Sequence, residues 1–291
     1  MRTLILVLCT LLAVTMLVSC SHTPAVQDTA DTEPIQVPDT QITTEAETDA
    51  KTEAKTEAET TPDTTEKVEE VYKPSRKIKV ACVGDSITYG VGANNTALSS
   101  YPSQLRRMLG SDYIVGNYGR SSAYMINPVD YPDFKLASER SIAYTSTDEY
   151  QNALASNPDL VFICLGANDA YVSNTNAGVD QARYFYESAV AMAKKFQELD
   201  SKPTVVFVYP PARYDAQYRL DYIKSTIIPT IDRVAAECGC RVIDLFSLTE
   251  AYAKNKNTKY ISTDGIHLVD DGYTVMANAV YEIAKEYRLP E

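Results

Sequence analysis

The sequence has 291 residues, enough for one large α/β domain or two small ones, and carries 39 acidic against 27 basic side chains, a net charge of −12. The imbalance is local, because residues 21–74 hold 14 acidic and 4 basic side chains whereas residues 75–291 hold 25 and 22. The second part therefore has no broad basic field, which leaves a nucleic-acid partner without electrostatic support.

The chain begins as a secretory signal does, with Arg2 ahead of a nearly continuous apolar run over 4–18. That run is shorter than the about 20 apolar residues needed to span a bilayer. It ends in Leu17-Val18-Ser19-Cys20, which resembles the bacterial lipobox. The pattern predicts a signal peptide over 1–19, removed to leave Cys20 lipidated. The protein would then sit on the outer face of a bacterial membrane, held by two or three acyl chains where one alone is marginal. Residues 20–74 follow as a Thr-, Glu- and Ala-rich acidic stretch with almost no large apolar side chains. It cannot bury enough surface to offset chain entropy and is predicted to be a disordered tether with a reach of about 40 Å.

From residue 75 the pattern changes. Five apolar runs, at 78–83, 113–117, 160–165, 204–209 and 241–246, lack polar alternation, as parallel strands covered on both faces do. Helical periodicity separates them. Ala182, Tyr186, Ala189, Ala193 and Phe196 form one apolar stripe, and Tyr273, Met276, Val280, Ile283 and Tyr287 form another, with Asp270 or Asp271 placed to cap the second helix. The pattern predicts one α/β domain, a three-layer α/β/α sandwich on a five-stranded parallel sheet. Reactive groups then belong at the carboxyl ends of the strands, in 84–96, 117–147, 166–178 and 209–218. Cys82 and Cys164 fall within apolar runs as small buried hydrophobes. No Cys/His spacing suits a metal, and no cofactor motif is present.

Three short motifs fall in the expected places: Gly84-Asp85-Ser86-Ile87 after the first run, Gly166-Ala167-Asn168-Asp169 after the third, and Asp264-Gly265-Ile266-His267 before the last helix. His267 is the only histidine beyond residue 74, so it is the one imidazole able to activate Ser86, with Asp264 to orient it.

In this order the motifs resemble those of the SGNH, or GDSL, hydrolase superfamily over 77–287. The resemblance implies a flavodoxin-like sheet, a Ser86–His267–Asp264 triad, and an oxyanion hole from the Ser86 N–H, the Asn168 amide and a backbone N–H of the second block. That block, Asn117-Tyr118-Gly119-Arg120-Ser121-Ser122, has Ser122 where the family has glycine. Ser122 is the expected donor and Gly119 the alternative. Asp85 and Asp169 are expected to brace the loops through backbone N–H groups.

The resemblance leaves the substrate open among acetylated sugars, lysophospholipids and thioesters. Export and an abundance of tyrosine in the strand-end loops favour carbohydrate acetyl esters, and Tyr89, Tyr118, Arg120, Tyr171, Tyr209 and Arg213 are the expected pocket residues. The alternatives are a lysophospholipase or acyl-thioesterase, which would need a long apolar groove, and a non-catalytic surface-binding lipoprotein. Oligomeric state is not legible.

Overall fold

The structure is a computed structural model that describes residues 72–290. The expected signal segment, Cys20 and residues 21–71 of the expected tether lie outside the described residues. Within the described end of that stretch the Tyr72 hydroxyl accepts the Leu289 N–H at 3.0 Å and the Tyr72 ring lies under Arg288.

Strand β1 (Ile78–Gly84) is buried on both faces and runs into the short helix α1 (Ser86–Tyr89), which Asp85 caps by accepting the Ile87 N–H. Helices α2 (Thr96–Ser99) and α3 (Tyr101–Leu109) return the chain to β2 (Tyr113–Gly119). A long excursion follows, with the two-residue strands β3 (Ala123–Tyr124) and β4 (Ile142–Ala143) paired to each other, and helix α4 (Asp148–Ala155) leading out of it. Next come β5 (Leu160–Cys164), α5 (Ala167–Tyr171), α6 (Gln181–Gln197), β6 (Thr204–Val208) and α7 (Gln217–Tyr222). After α7 one π-helical turn passes into α8 (Ile228–Cys238), followed by β7 (Arg241–Ile243), α9 (Leu245–Lys254) and α10 (Asp270–Ala284).

The main sheet has the order β2-β1-β5-β6-β7, and every pairing is parallel. Five strands thus form at the five apolar runs, flanked by helices. The carboxyl ends of β2, β1 and β5 lie side by side at one side of the sheet, where Gly84 lies opposite both Gly119 and Cys164. Arg76 anchors the other end of β1 through a paired contact with the buried carboxylate of Asp159 at 2.6 and 2.7 Å. The same carboxylate also accepts the Lys79 N–H.

Two helix readings shift. In α6 the buried face is Tyr184, Phe185, Ala189, Met192, Ala193 and Phe196, whereas Ala182 and Tyr186 are only half-buried. Tyr186 instead turns its hydroxyl outward to Glu237. In α10 the capping position belongs to Val269, and neither Asp270 nor Asp271 caps it. The Asp270 carboxylate accepts both the backbone and side-chain N–H groups of Asn94, tying α10 to the loop after α1. Tyr287 lies past the end of that helix.

Candidate active site

Ser86 is the first residue of α1, so its hydroxyl stands at the mouth of the sheet while Asp85, buried just before it, holds the turn. Gly84 has no room for a side chain. A Cβ there would meet the Thr88 hydroxyl at 2.2 Å and the Cys164 carbonyl at 2.5 Å. His267 reaches Ser86 from the loop between α9 and α10, with Nε2 2.9 Å from the Ser86 Oγ. Its Nδ1 lies 2.6 Å from Asp264 Oδ2, and Asp264 Oδ1 accepts the backbone N–H groups of Ile266 and His267. With the Nδ1 proton directed at the carboxylate, Nε2 is left as the acceptor for the Ser86 hydroxyl. Partial burial alone would raise the Asp264 pKa. The hydrogen bonds from the His267 ring and from the two N–H groups outweigh it and hold the carboxyl below its ordinary value.

The oxyanion candidates separate. The Gly119 N–H donates to Asn117 Oδ1 at 2.9 Å and is thus engaged, which removes the alternative donor. The role of Gly119 is steric, because a Cβ would stand 2.1 Å from the Tyr89 nitrogen and keep α1 from settling on β2. Ser122 adopts the left-handed conformation, φ 62°, that a glycine takes without cost. It lines the same cavity as Ser86, and its N–H has no acceptor among the described residues. Asn168 directs one amide hydrogen to the Ala123 carbonyl at 2.9 Å, which orients the amide and leaves the second hydrogen unused. Asp169, next in sequence and fully buried, accepts the N–H groups of Met125 and Ile126 at 3.1 Å. The loop after β2 and the helix after β5 are thereby bound together. Burial pushes the carboxyl of Asp169 up to about 6 and that of Asp85, with the negative charge of Asp169 adding to it, up to about 7.

These groups face a cavity of ≈ 440 Å³ whose lining also includes Val91, Ser121, Tyr124, Ala137, Ser138, Ser141, Ala167, Tyr171, Arg213 and Ile266. Arg213 is buried, donates to the Ala167 carbonyl at 2.9 Å and pairs with Asp215. Asp215 also binds Arg219, whose guanidinium lies 3.6 Å from the centre of the Tyr171 ring. Of the expected pocket residues, Tyr171 and Arg213 are in this cavity, and Tyr89 and Arg120 line its neighbour. Two are not at the site. The Tyr118 ring lies over Gly116, where a Cβ would touch it. Tyr209, buried at the end of β6, gives its hydroxyl to Asp232.

The comparisons place the chain in a family. The model of the GDSL-like lipase/acylhydrolase family matches residues 82–275, a stretch that includes Ser86, Asn168, Asp264 and His267. The chain belongs to that family. An acetylxylan esterase of Xylanibacter ruminicola is 29% identical to this GDSL-family chain over an alignment of 218 positions that covers 70% of this chain and 42% of the relative. The chain therefore spans less than half the length of that protein. Among solved structures, a lipase/acylhydrolase from Enterococcus faecalis superposes with a TM-score of 0.52 at 21% identity, covering 74% of this chain and 99% of its own. An acetyl xylan esterase does so with a TM-score of 0.53 at 20% identity, covering 71% and 99%. At these identities the likeness is one of fold.

Several lining residues of this GDSL-family site were not expected from the sequence. Ser121, Ser138, Ser141 and Ala137 are small residues in irregular chain, where neither periodicity nor spacing marks them. What places them is the Ala123–Ile142 pairing, which folds the excursion after β2 back over Ser86.

Proposed function

We propose that this chain is a serine ester hydrolase that removes O-acetyl groups from carbohydrate through an acetyl-enzyme. The observation that carries the reading is the row Asp264–His267–Ser86, joined at 2.6 and 2.9 Å and opening into a cavity that Asn168 and Ser122 also line. Ser86 Oγ attacks the ester carbonyl carbon while His267 Nε2 takes its proton, and Asp264 stabilises the imidazolium. The negative oxygen accepts hydrogen bonds from the Ser86 N–H, the Ser122 N–H and the free amide hydrogen of Asn168. Collapse breaks the bond to the sugar oxygen, which leaves with the proton from His267. Water, giving its proton to His267, then attacks the acetyl carbonyl, and acetate departs as Ser86 regains its hydrogen. Each step draws on side chains and backbone N–H groups already in place.

Two features support acetyl as the acyl group. Among the residues lining the cavity the aliphatic ones are only Val91, Ile266 and two alanines, little to receive a long chain, and the Xylanibacter ruminicola relative is an acetylxylan esterase. The Leu17-Val18-Ser19-Cys20 pattern supports a lipid anchor on Cys20 and placement at the cell surface, where acetylated glycans are met. A series of nitrophenyl esters tests the reading. Acetyl turnover should exceed octanoyl turnover in kcat/KM by at least about tenfold, roughly the discrimination a small pocket achieves. Preference for octanoyl would favour a lysophospholipase or acyl-thioesterase, and absence of turnover on every ester would favour a binding protein.

A further inference from the structure

We propose that the sugar chain bearing the ester lies in an extended groove that runs from Ser86 past Ser121 and Ser122 to Tyr89 at the other end of helix α1, with the Tyr89 ring as its stacking platform. The substrate is then a polysaccharide or long oligosaccharide acetylated within the chain. This rests on the acetyl-carbohydrate reading above.

Three cavities adjoin in series. The ≈ 440 Å³ cavity of Ser86 shares Ser121, Ser122 and Ser141 with a second of ≈ 670 Å³. The second shares Tyr89, Gly119 and Glu149 with a third of ≈ 400 Å³. A ligand confined to one sugar and its acetyl group would need only the first. On another side Arg213, 2% exposed and bound to Asp215 and the Ala167 carbonyl, stands as a fixed partition between the Ser86 cavity and one of ≈ 610 Å³ lined by Tyr214, Asp215 and Gln217.

The chemistry of the second cavity points to a neutral, hydroxyl-rich ligand. Arg120 and Arg140 are matched by Glu139 and Glu149, with Arg120 and Glu149 3.6 Å apart, and serines make up much of the rest. Such a surface offers donors and acceptors without net charge to favour an anion, and Ile142 is the one branched aliphatic side chain in its lining to receive an alkyl chain. Tyr89 stands where the second and third cavities meet. It is 50% exposed, and its hydroxyl has no partner among the described residues. Its backbone is nevertheless fixed, since the N–H donates to the Asp85 carbonyl at 2.9 Å and the carbonyl accepts from the Asn117 amide at 3.3 Å. An exposed ring on a fixed backbone suits stacking against the C–H face of a sugar. Because Tyr89 and Ser86 share the single turn of α1, a sugar held on the ring is held in register with the nucleophile.

The test measures kcat/KM of the purified protein on nitrophenyl acetate and on acetylated xylo- and manno-oligosaccharides from disaccharide to polymer. With one or both sugars, kcat/KM should climb by about tenfold or more with chain length, as added contacts accumulate. Relative to its own nitrophenyl acetate rate, Tyr89→Ala should lose about tenfold on the longest chains, mainly through KM, and Tyr89→Phe should retain them. A flat length dependence, an unchanged polymer-to-small-ester ratio in Tyr89→Ala, or turnover of nitrophenyl acetate with none of any carbohydrate would overturn the groove. Failure on nitrophenyl acetate as well would instead overturn the esterase reading on which it rests.

Discussion

Asp264 meets His267 twice: one carboxylate oxygen lies 2.6 Å from the ring Nδ1, and the other accepts the His267 backbone N–H at 3.0 Å. One side chain thus fixes both the tautomer of the imidazole and the turn that carries it. Asp264→Asn separates the two tasks, because its Oδ1 can still accept the backbone N–H groups while its amide presents hydrogens to Nδ1. The ring must then place its proton on Nε2, facing Ser86. Turnover of a small acetyl ester should fall by about 10⁴ while thermal stability changes little. Because Asp264 is held below its ordinary pKa, its protonation should not limit wild-type activity until the pH is below about 4.

The oxyanion donors differ in how they tolerate substitution. Asn168→Ala should lower kcat by about 10²–10³, the usual effect of losing one such donor. Ser122→Gly should keep full activity, because the N–H survives and glycine accepts the left-handed conformation at φ 62°. Gly119→Ala, with its Cβ 2.1 Å from the Tyr89 nitrogen, should displace α1 and lose both activity and stability. Steady-state kinetics and thermal melts of the three variants check this ordering, and a silent Asn168→Ala would remove that amide from the reaction.

Burial of Asp85 and Asp169 makes stability depend on pH. Their folded values of about 7 and about 6 lie above the about 4 of an unfolded aspartate. Between about pH 4 and about pH 7 the folded state therefore holds more protons than the unfolded chain, and stability contributed by these groups falls as pH rises. Asp159, Asp215 and Asp264 act in the opposite sense. Their lowered values contribute stability that is present above about pH 4 and lost as the pH falls further. Asp85→Asn keeps an acceptor for the Ile87 N–H and removes the charge. Its Tm relative to the wild type should rise between about pH 4 and about pH 7. A constant difference would show that Asp85 does not titrate there.

The strands were legible because the apolar runs of β1, β5 and β6, buried along nearly their whole length, cannot be mistaken for alternating edge sequence. The edge strands β2 and β7, apolar in sequence but partly exposed, are not covered on both faces as expected. The motif residues were legible because strand ends place them, and Asp264 and His267 are only three apart. Distant pairings decided the rest. Nothing local shows that Asp270 turns to Asn94 instead of capping α10, or that the Tyr209 hydroxyl goes to Asp232 on α8. The α6 stripe was misplaced because Tyr186, apolar by composition, satisfies its hydroxyl outward on Glu237 while Tyr184 and Phe185 turn in.

The lipobox pattern at Cys20 gives a prediction for the intact precursor. Cys20→Ala should leave the signal unprocessed or release the protein from membranes, whereas the native protein should partition into detergent and label with radioactive palmitate. Normal processing and membrane partition of Cys20→Ala would rule out the anchor.

With an activated donor such as nitrophenyl acetate, whose good leaving group speeds acylation relative to hydrolysis of the acetyl-enzyme, acid quenching of the wild type in turnover should trap the acetyl-enzyme for intact-protein mass spectrometry. The account predicts an adduct of about 42 Da, one acetyl replacing one hydrogen, on the Ser86 peptide, absent from Ser86→Ala together with nearly all turnover. An adduct on any other residue, or sustained hydrolysis by Ser86→Ala, would contradict it.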